Sequence, residues 1–278
     1  MIDLHIHSTC SDGTLSPAQI VSQAESLGLY GFSLTDHDTT EGIPSILALN
    51  PRIHFIPGIE ISCDVSGREI HVLGYGIDCA SKTLNDRLTA IREGRMNRNL
   101  KMISLFQKDG YPVTLEKLQG KHPDTVITRA HFARVLQEEG ICKTKDEAFR
   151  KYLGETCKYF VPKPFLAPEE TLSLIRAAGG IPVLAHPFQY HYSNKELRHL
   201  IEYLKDNGLL GLEVYHSTHH IGQITRLREW AKQYSLLETG GSDFHGTNKP
   251  DIQLGTGRGS LHVPDHLMDR LEEAWQKQ

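Results

Sequence analysis

No run of apolar residues approaches the ~18 needed to span a membrane. Met1 leads directly into an apolar–polar alternation, so no leader or membrane anchor is expected and the cytoplasm is the expected location. The five cysteines (Cys10, Cys63, Cys79, Cys142 and Cys157) are odd in number, scattered and free of any C-x-x-C pair. That excludes a disulfide framework and a thiolate zinc knuckle, and Cys10 is not counted as a ligand although histidines stand close to it. Positive charge is not in excess: the formal net charge is −4 and the pI about 6.5. A polyanionic ligand must then be held by a local site, and long duplex nucleic acid is not an expected partner. The chain also lacks G-x-S-x-G and a G-x-x-x-x-G-K loop, which argues against a serine nucleophile elbow and a P-loop.

Histidine is abundant, with 16 in 278 residues. Near the start, D-L-H-I-H alternates Asp3, His5 and His7 with Ile2, Leu4 and Ile6. This is the period of a strand, one face apolar and the other carrying two imidazoles and a carboxylate. Ser16, Pro17 and Gln19 then form a capping box, opening a helix whose apolar stripe includes Ile20, Val21, Ala24 and Leu27. Further strands are read in Y-G-F-S-L, in I-H-F-I-P-G-I-E-I-S (ending near Glu60) and in E-I-H-V-L-G-Y-G.

From residue 81 to 164 the pattern turns mainly helical and reads as an insertion. Leu88, Ile91, Leu100, Ile103 and Phe106 mark one helix face, and T-R-A-H-F-A-R-V-L-Q-E-E-G and D-E-A-F-R-K-Y-L-G mark two more helices. Strand–helix alternation resumes at 165 with I-P-V-L-A, L-L-G-L-E-V-Y and S-L-L-E-T-G-G. The expected organisation is therefore a barrel in two parts, 1–80 and 165–278, around a helical cap at 81–164. Candidate ligands recur at or just beyond strand C-termini, the edge where (β/α) barrels build active sites.

Those ligands are imidazoles and carboxylates: Asp3, His5 and His7; Asp12; Asp36, His37 and Asp38; Glu60 and His71; His186; Asp243 and His245. The set suits Zn²⁺, Mn²⁺ or Fe²⁺ and exceeds the needs of one ion. A cluster of two or three ions about 3.5–4 Å apart, sharing a carboxylate, could hold a hydroxide and clamp the oxygens of a phosphoryl transfer. Metal-activated water is the expected nucleophile.

Taken in order, H-I-H-S…D-G, T-D-H-D, G-I-E-I-S, E-I-H-V-L-G-Y, L-A-H-P and G-S-D-F-H-G resemble the polymerase-and-histidinol-phosphatase (PHP) family over residues 1–76 and roughly 165–260. More narrowly, T-R-A-H-F-A (Thr128 to Ala133) resembles a motif of its stand-alone phosphoesterases, nucleoside 3′,5′-bisphosphate phosphatases and 5′→3′ exoribonucleases. The resemblance implies an α/β fold, a distorted (β/α)₇ barrel with three divalent ions. His5, His7, Glu60 and Asp243 would hold the first ion and the nucleophilic hydroxide. Glu60, His71 and His186 would hold the second, and Asp12, His37 and His245 the third. Some family members have His where this chain has Asp12.

Among other residues, Asp3 is expected to orient an imidazole, one of Asp36 and Asp38 to orient His37 or cap the next helix, and Glu213 and His54 to be structural. His216 or His219 is the candidate general acid. Arg129 is the candidate second-phosphate contact, since a guanidinium grips phosphate bidentately, with His131 beside it. Arg92, Arg95 and Arg98 form a basic stripe, read first as a solvated face and alternatively as a phosphate track, with Arg95 its substrate contact. The expected activity is removal of phosphate from a nucleoside 3′,5′-bisphosphate or cleavage at the 5′ end of a short single-stranded RNA. Alternatives are another small phosphoester (cyclic sugar phosphate, mononucleotide or histidinol phosphate), amide hydrolysis, or non-catalytic metal or nucleotide binding.

Overall fold

The computed structural model describes residues 1–162 and 165–278. Its centre is a seven-stranded sheet in sequential order: β1 Ile2–Asp3, β2 Gly31–Leu34, β3 His54–Val65, β4 Arg68–Tyr75, β5 Ile181–Leu184, β6 Gly211–His216 and β7 Leu237–Gly241. The chain beyond β1 stays close to β7. Leu4 N–H donates to Gly240 O at 3.1 Å, and Ile6 bridges Phe244 in parallel, so the sheet nearly closes into a barrel. Gly241 permits the closure: a Cβ there would meet His5 N at 2.3 Å.

All neighbouring strands run parallel except β4, which is antiparallel to both β3 and β5. β3 does not end near Glu60, as expected from the sequence, but continues to Val65 in a hairpin with β4. The reversal matters for the site. His71 lies in the first half of β4, yet it reaches the edge formed by the C-terminal ends of the parallel strands, where it pairs with Ser62.

Alternation sorts the first segment as its sequence predicts. Ile2, Leu4 and Ile6 are fully buried in apolar clusters, while Asp3, His5 and His7 are buried on the polar side. The helix α1 (Pro17–Ser26) opens with the Ser16/Gln19 capping box and packs Ile20, Val21 and Ala24 near Phe32 and Leu34. The larger of these side chains, Ile20, Val21, Phe32 and Leu34, each contribute about 1.5–3 kcal/mol on burial. The final helix, α10 (His266–Trp275), packs Leu267, Met268 and Leu271 with Ile2 and Leu4.

Between β4 and β5, α3 (Lys82–Lys108), α4 (Leu115–Gln119), α5 (Arg129–Glu138) and α6 (Lys145–Ala148) precede a π-helical turn at Phe149–Leu153. These elements share a separate apolar cluster from Met102 to Tyr159, with Phe106 and Tyr159 stacked at 4.1 Å. Leu100, expected on the apolar face of α3, is instead about half exposed. α2 (Ile43–Leu49) joins β2 to β3, and α7 (Pro168–Ala177) leads into β5; after β5 comes α8 (Asn194–Asp206) and, after β6, α9 (Ile221–Tyr234). No helix among the described residues is long and apolar enough to cross a membrane.

Candidate metal centre

Glu60, on β3, is the hub. Its Oε1 lies 2.9 Å from His71 Nδ1 and 3.0 Å from His186 Nε2. Its Oε2 lies 3.4 Å from His5 Nε2, 3.2 Å from His7 Nε2 and 3.1 Å from His37 Nδ1. Asp243 Oδ1 joins the second set at 3.7 Å from His5 Nε2 and 3.5 Å from His7 Nε2. A third gathering surrounds Asp12, whose Oδ1 is 3.2 Å from His245 Nε2 and whose Oδ2 is 4.0 Å from His37 Nε2. The ligand atoms form overlapping groups compatible with metal ions: His5, His7 and Glu60; His37, Glu60 and His71; His7, Asp12, His37 and His245.

Several of these close approaches are not hydrogen bonds. His5 Nε2, His7 Nε2, His37 Nδ1 and Asp12 Oδ1 are buried without a hydrogen-bond partner. Buried polar atoms left unpaired cost about 1–3 kcal/mol each, and these converge on shared space, as metal ligands do. The donor set therefore fits divalent ions.

The electrostatics suit cations. Burial works against ionised carboxylates, yet His37, His71 and His5 hold Glu60 well below its usual range, and His245 and His37 do the same for Asp12. For Asp243, burial is overcome by Lys249 and His245. Burial also opposes a charged His5, but Glu213 and Glu60 carry it well above normal. His7 goes the other way, pushed well below by burial and by His245 and His37. His37 falls to about 4 through burial, whereas Glu60 lifts His71 to about 9 against it.

Backbone strain accompanies the geometry. Asp38 (φ 53°), His186 (φ 25°) and Asp243 (φ 58°) sit at positive φ, which costs a non-glycine residue about 1–3 kcal/mol. Hydrogen bonds hold two of these turns. His186 N–H donates to Glu213 Oε2 at 2.6 Å, and Asp243 N–H donates to His5 O at 2.9 Å.

The supporting residues depart from the sequence expectations. Asp3 does not orient an imidazole. Its carboxylate accepts from Ser242 N–H (2.8 Å) and Oγ (2.5 Å) and Gly255 N–H (2.7 Å), fastening β1 to the loop after β7. Asp36 accepts from Ser8 N–H and from Ser8 and Ser11 Oγ, shaping the loop that delivers Asp12. The imidazole-orienting carboxylate is Glu213, 2.9 Å from His5 Nδ1. Glu213 and His216 are three positions apart, so plain alternation would send them to opposite faces. A register shift between Glu213 and Tyr215 brings both to the cluster. Glu213 was detectable only as a lone carboxylate in an apolar strand.

His216 Nε2 lies 3.5 Å from Asp243 Oδ2. His219 turns away, donating from Nδ1 to Val214 O at 2.9 Å, and His220 caps α9. His54 pairs with Glu272, far from the cluster.

The basic stripe of α3 is not a solvated face. Arg95 and Arg98 are buried, and Arg95 is ion-paired with Asp38. Arg98 has no hydrogen-bond or ion-pair partner among the described residues, and its Nε is buried. Burial, with repulsion from Arg95 and Arg129, pushes it down to about 9. Arg98, Arg95 and Arg129 line a cavity of about 470 Å³ that reaches Asp12, His37 and His71 and includes Phe149 and Phe160. Arg129 pairs with Glu69 at 3.0 Å. His131, expected to contact substrate, instead accepts the Thr128 N–H through Nδ1 at 3.1 Å, capping its own helix. Cap spacing at the third helical position selects that role over the cavity.

A family model described as "PHP domain" matches residues 3–235. The chain is 36% identical over 245 residues to a 5′-3′ exoribonuclease of Haemophilus influenzae, covering 87% of this chain and 89% of the relative. It is 32% identical over 257 residues to a 3′,5′-nucleoside bisphosphate phosphatase of Chromobacterium violaceum, covering 91% and 90%. A solved structure described as a metal-dependent phosphoesterase from Bifidobacterium adolescentis superposes with a TM-score of 0.85 at 29% identity, covering 97% and 94%.

Proposed function

This chain belongs to the PHP domain family and is a metal-dependent phosphoric ester hydrolase, and on that premise we propose that it removes the 3′ phosphate of nucleoside 3′,5′-bisphosphates and trims short RNA from its 5′ end. The observation that carries this reading is the buried Arg98, without a partner among the described residues, beside Arg129 in a cavity that opens onto the Glu60 cluster. A minimal phosphate monoester would leave that guanidinium unmatched. A nucleotide with a second phosphate pairs it, because guanidinium and phosphate bond in a charge-assisted, bidentate way.

We assign His5, His7, Glu60 and Asp243 to one ion, Glu60, His71 and His186 to a second, and Asp12, His37 and His245 to a third, with Mn²⁺, Zn²⁺ and Fe²⁺ as the candidates. When bound, such ions supply Lewis-acid charge to phosphate oxygens and bring the pKa of water toward neutrality.

The chain's own groups do the remaining work. Glu213 holds His5 in the tautomer that leaves Nε2 free to face the cluster. Arg98 and Arg129 grip the 5′ phosphate, and Phe149 and Phe160 offer the base apolar faces on which to stack. With the nucleoside in this cavity, its 3′ oxygen leaves toward the same side. His216 lies beyond Asp243, on the other side, so we assign it proton transfer on the attacking side instead of to the leaving oxygen.

The test compares wild type and Arg129→Ala, reconstituted with Mn²⁺, on 3′-phosphoadenosine 5′-phosphate and on a minimal aryl phosphate. The expected result is a loss of at least tenfold in kcat/KM on the bisphosphate with little change on the aryl ester. Equal losses on both would refute a second-phosphate contact.

A further inference from the structure

Asp243 faces two ways. Its Oδ1 points to His5 and His7, whereas its Oδ2 lies 2.5 Å from Lys249 Nζ and 3.5 Å from His216 Nε2. Those last groups border a second cavity of about 610 Å³, which shares no lining residue with the first. The first cavity meets the cluster at Asp12, His37 and His71, and the second meets it at Asp243 and His216. The cluster therefore lies between two spaces, and a bisphosphate needs only one of them.

The second cavity has its own chemistry. Gln189, Thr218 and Asn248 present amides and a hydroxyl, and Lys145, Lys249 and Arg258 present cations. Lys145 comes from α6 and crosses to the loop after β7, where its Nζ donates to Asn248 O at 2.9 Å and Oδ1 at 3.0 Å. Arg258 Nε stands 3.0 Å from Asp251. Neutral donors and acceptors suit a ribose and base edge, and exchangeable cation contacts suit a phosphate. A purely apolar or purely acidic wall would suit neither.

We propose that this second cavity holds the nucleotide on the 3′ side of the scissile phosphate. A single-stranded RNA would then lie with its first nucleotide beside Arg98 and Arg129, its bridging phosphate at the cluster, and its second nucleotide between Lys145 and Arg258. Water adds to the bridging phosphorus and the P–O3′ bond of the first nucleotide breaks. The released 3′ oxygen takes up a proton, and the phosphate stays on O5′ of the second nucleotide. The shortened chain thus carries a new 5′ phosphate, the group that the first cavity accepts in the next round. The inference rests on the nucleotide reading above and adds what separates an oligonucleotide from a bisphosphate.

The experiment measures kcat/KM of wild type, Lys145→Ala, Arg258→Ala and Lys145→Arg on 3′-phosphoadenosine 5′-phosphate and on a 5′-phosphorylated RNA trinucleotide. Each alanine variant should lose tenfold or more on the trinucleotide and stay within about threefold of wild type on the bisphosphate, with Lys145→Arg recovering most of the loss. Parallel losses on both substrates, or no loss on the trinucleotide, would overturn the proposal. Wild type that hydrolyses the bisphosphate but leaves the trinucleotide intact would also overturn it while leaving the phosphatase reading in place. Wild type inert on both would overturn that reading, and this one with it.

Discussion

Glu213 Oε1 lies 2.9 Å from His5 Nδ1, both fully buried, while the other oxygen of the same carboxylate receives the backbone N–H of His186. One side chain on β6 thereby sets the tautomer of a candidate ligand just beyond β1 and the turn that presents another. Glu213→Gln keeps the shape but weakens the acceptor. Residues supporting metal ligands in this way typically cost ten- to a hundredfold in metal affinity or activity when changed. Bound metal, measured by elemental analysis, and phosphate release should both fall in that range. Unchanged metal content and rate would show that the carboxylate serves packing alone.

Arg98 carries an unusual energetic signature. It has no hydrogen-bond or ion-pair partner among the described residues, and an uncompensated buried charge is costly to the free protein. Arg98→Met should therefore raise Tm in the absence of anions by a few degrees. The same variant should lose the Tm increase that inorganic phosphate gives wild type by binding the folded state. Thermal unfolding with and without phosphate reads both effects. A lower Tm combined with an unchanged phosphate response would contradict the assignment.

His131 links the insert to pH. Burial pushes its imidazole down to about 4 from 6.5. The unfolded chain then binds the proton more readily than the folded one between those values, so stability is present above about pH 6.5 and is lost as pH falls toward 4. His131→Gln keeps an acceptor at the third helical position, as capping boxes allow, and removes the titration. Urea midpoints at pH 7 and pH 4.5 should differ less in this variant than in wild type. An identical acid loss would assign the effect to other buried histidines.

The sequence alone determined the periodic and local features. Asp3, His5 and His7 could be placed on one strand face because side chains alternate with period two, and Ser16, Pro17 and Gln19 start α1 through contacts within a single turn. The motifs around Glu60, His71, His186 and Asp243 were legible because each is a short run in or beside an apolar segment. Tertiary structure decided everything that depends on which segments meet. It reversed β4, so that His71 reaches the cluster from the first half of its strand. It shifted the register of β6 so that Glu213 and His216 both face inward, and it buried Arg95 and Arg98, which spacing presented as a solvent stripe. It turned His131 onto its own helix end and set two cavities against the ligand cluster, one at Asp12, His37 and His71 and the other at Asp243 and His216. Helix and strand periods constrain neighbours a few residues apart, whereas burial and ligand convergence depend on residues as distant in sequence as His5 and Glu213, whose meeting only barrel closure brings about.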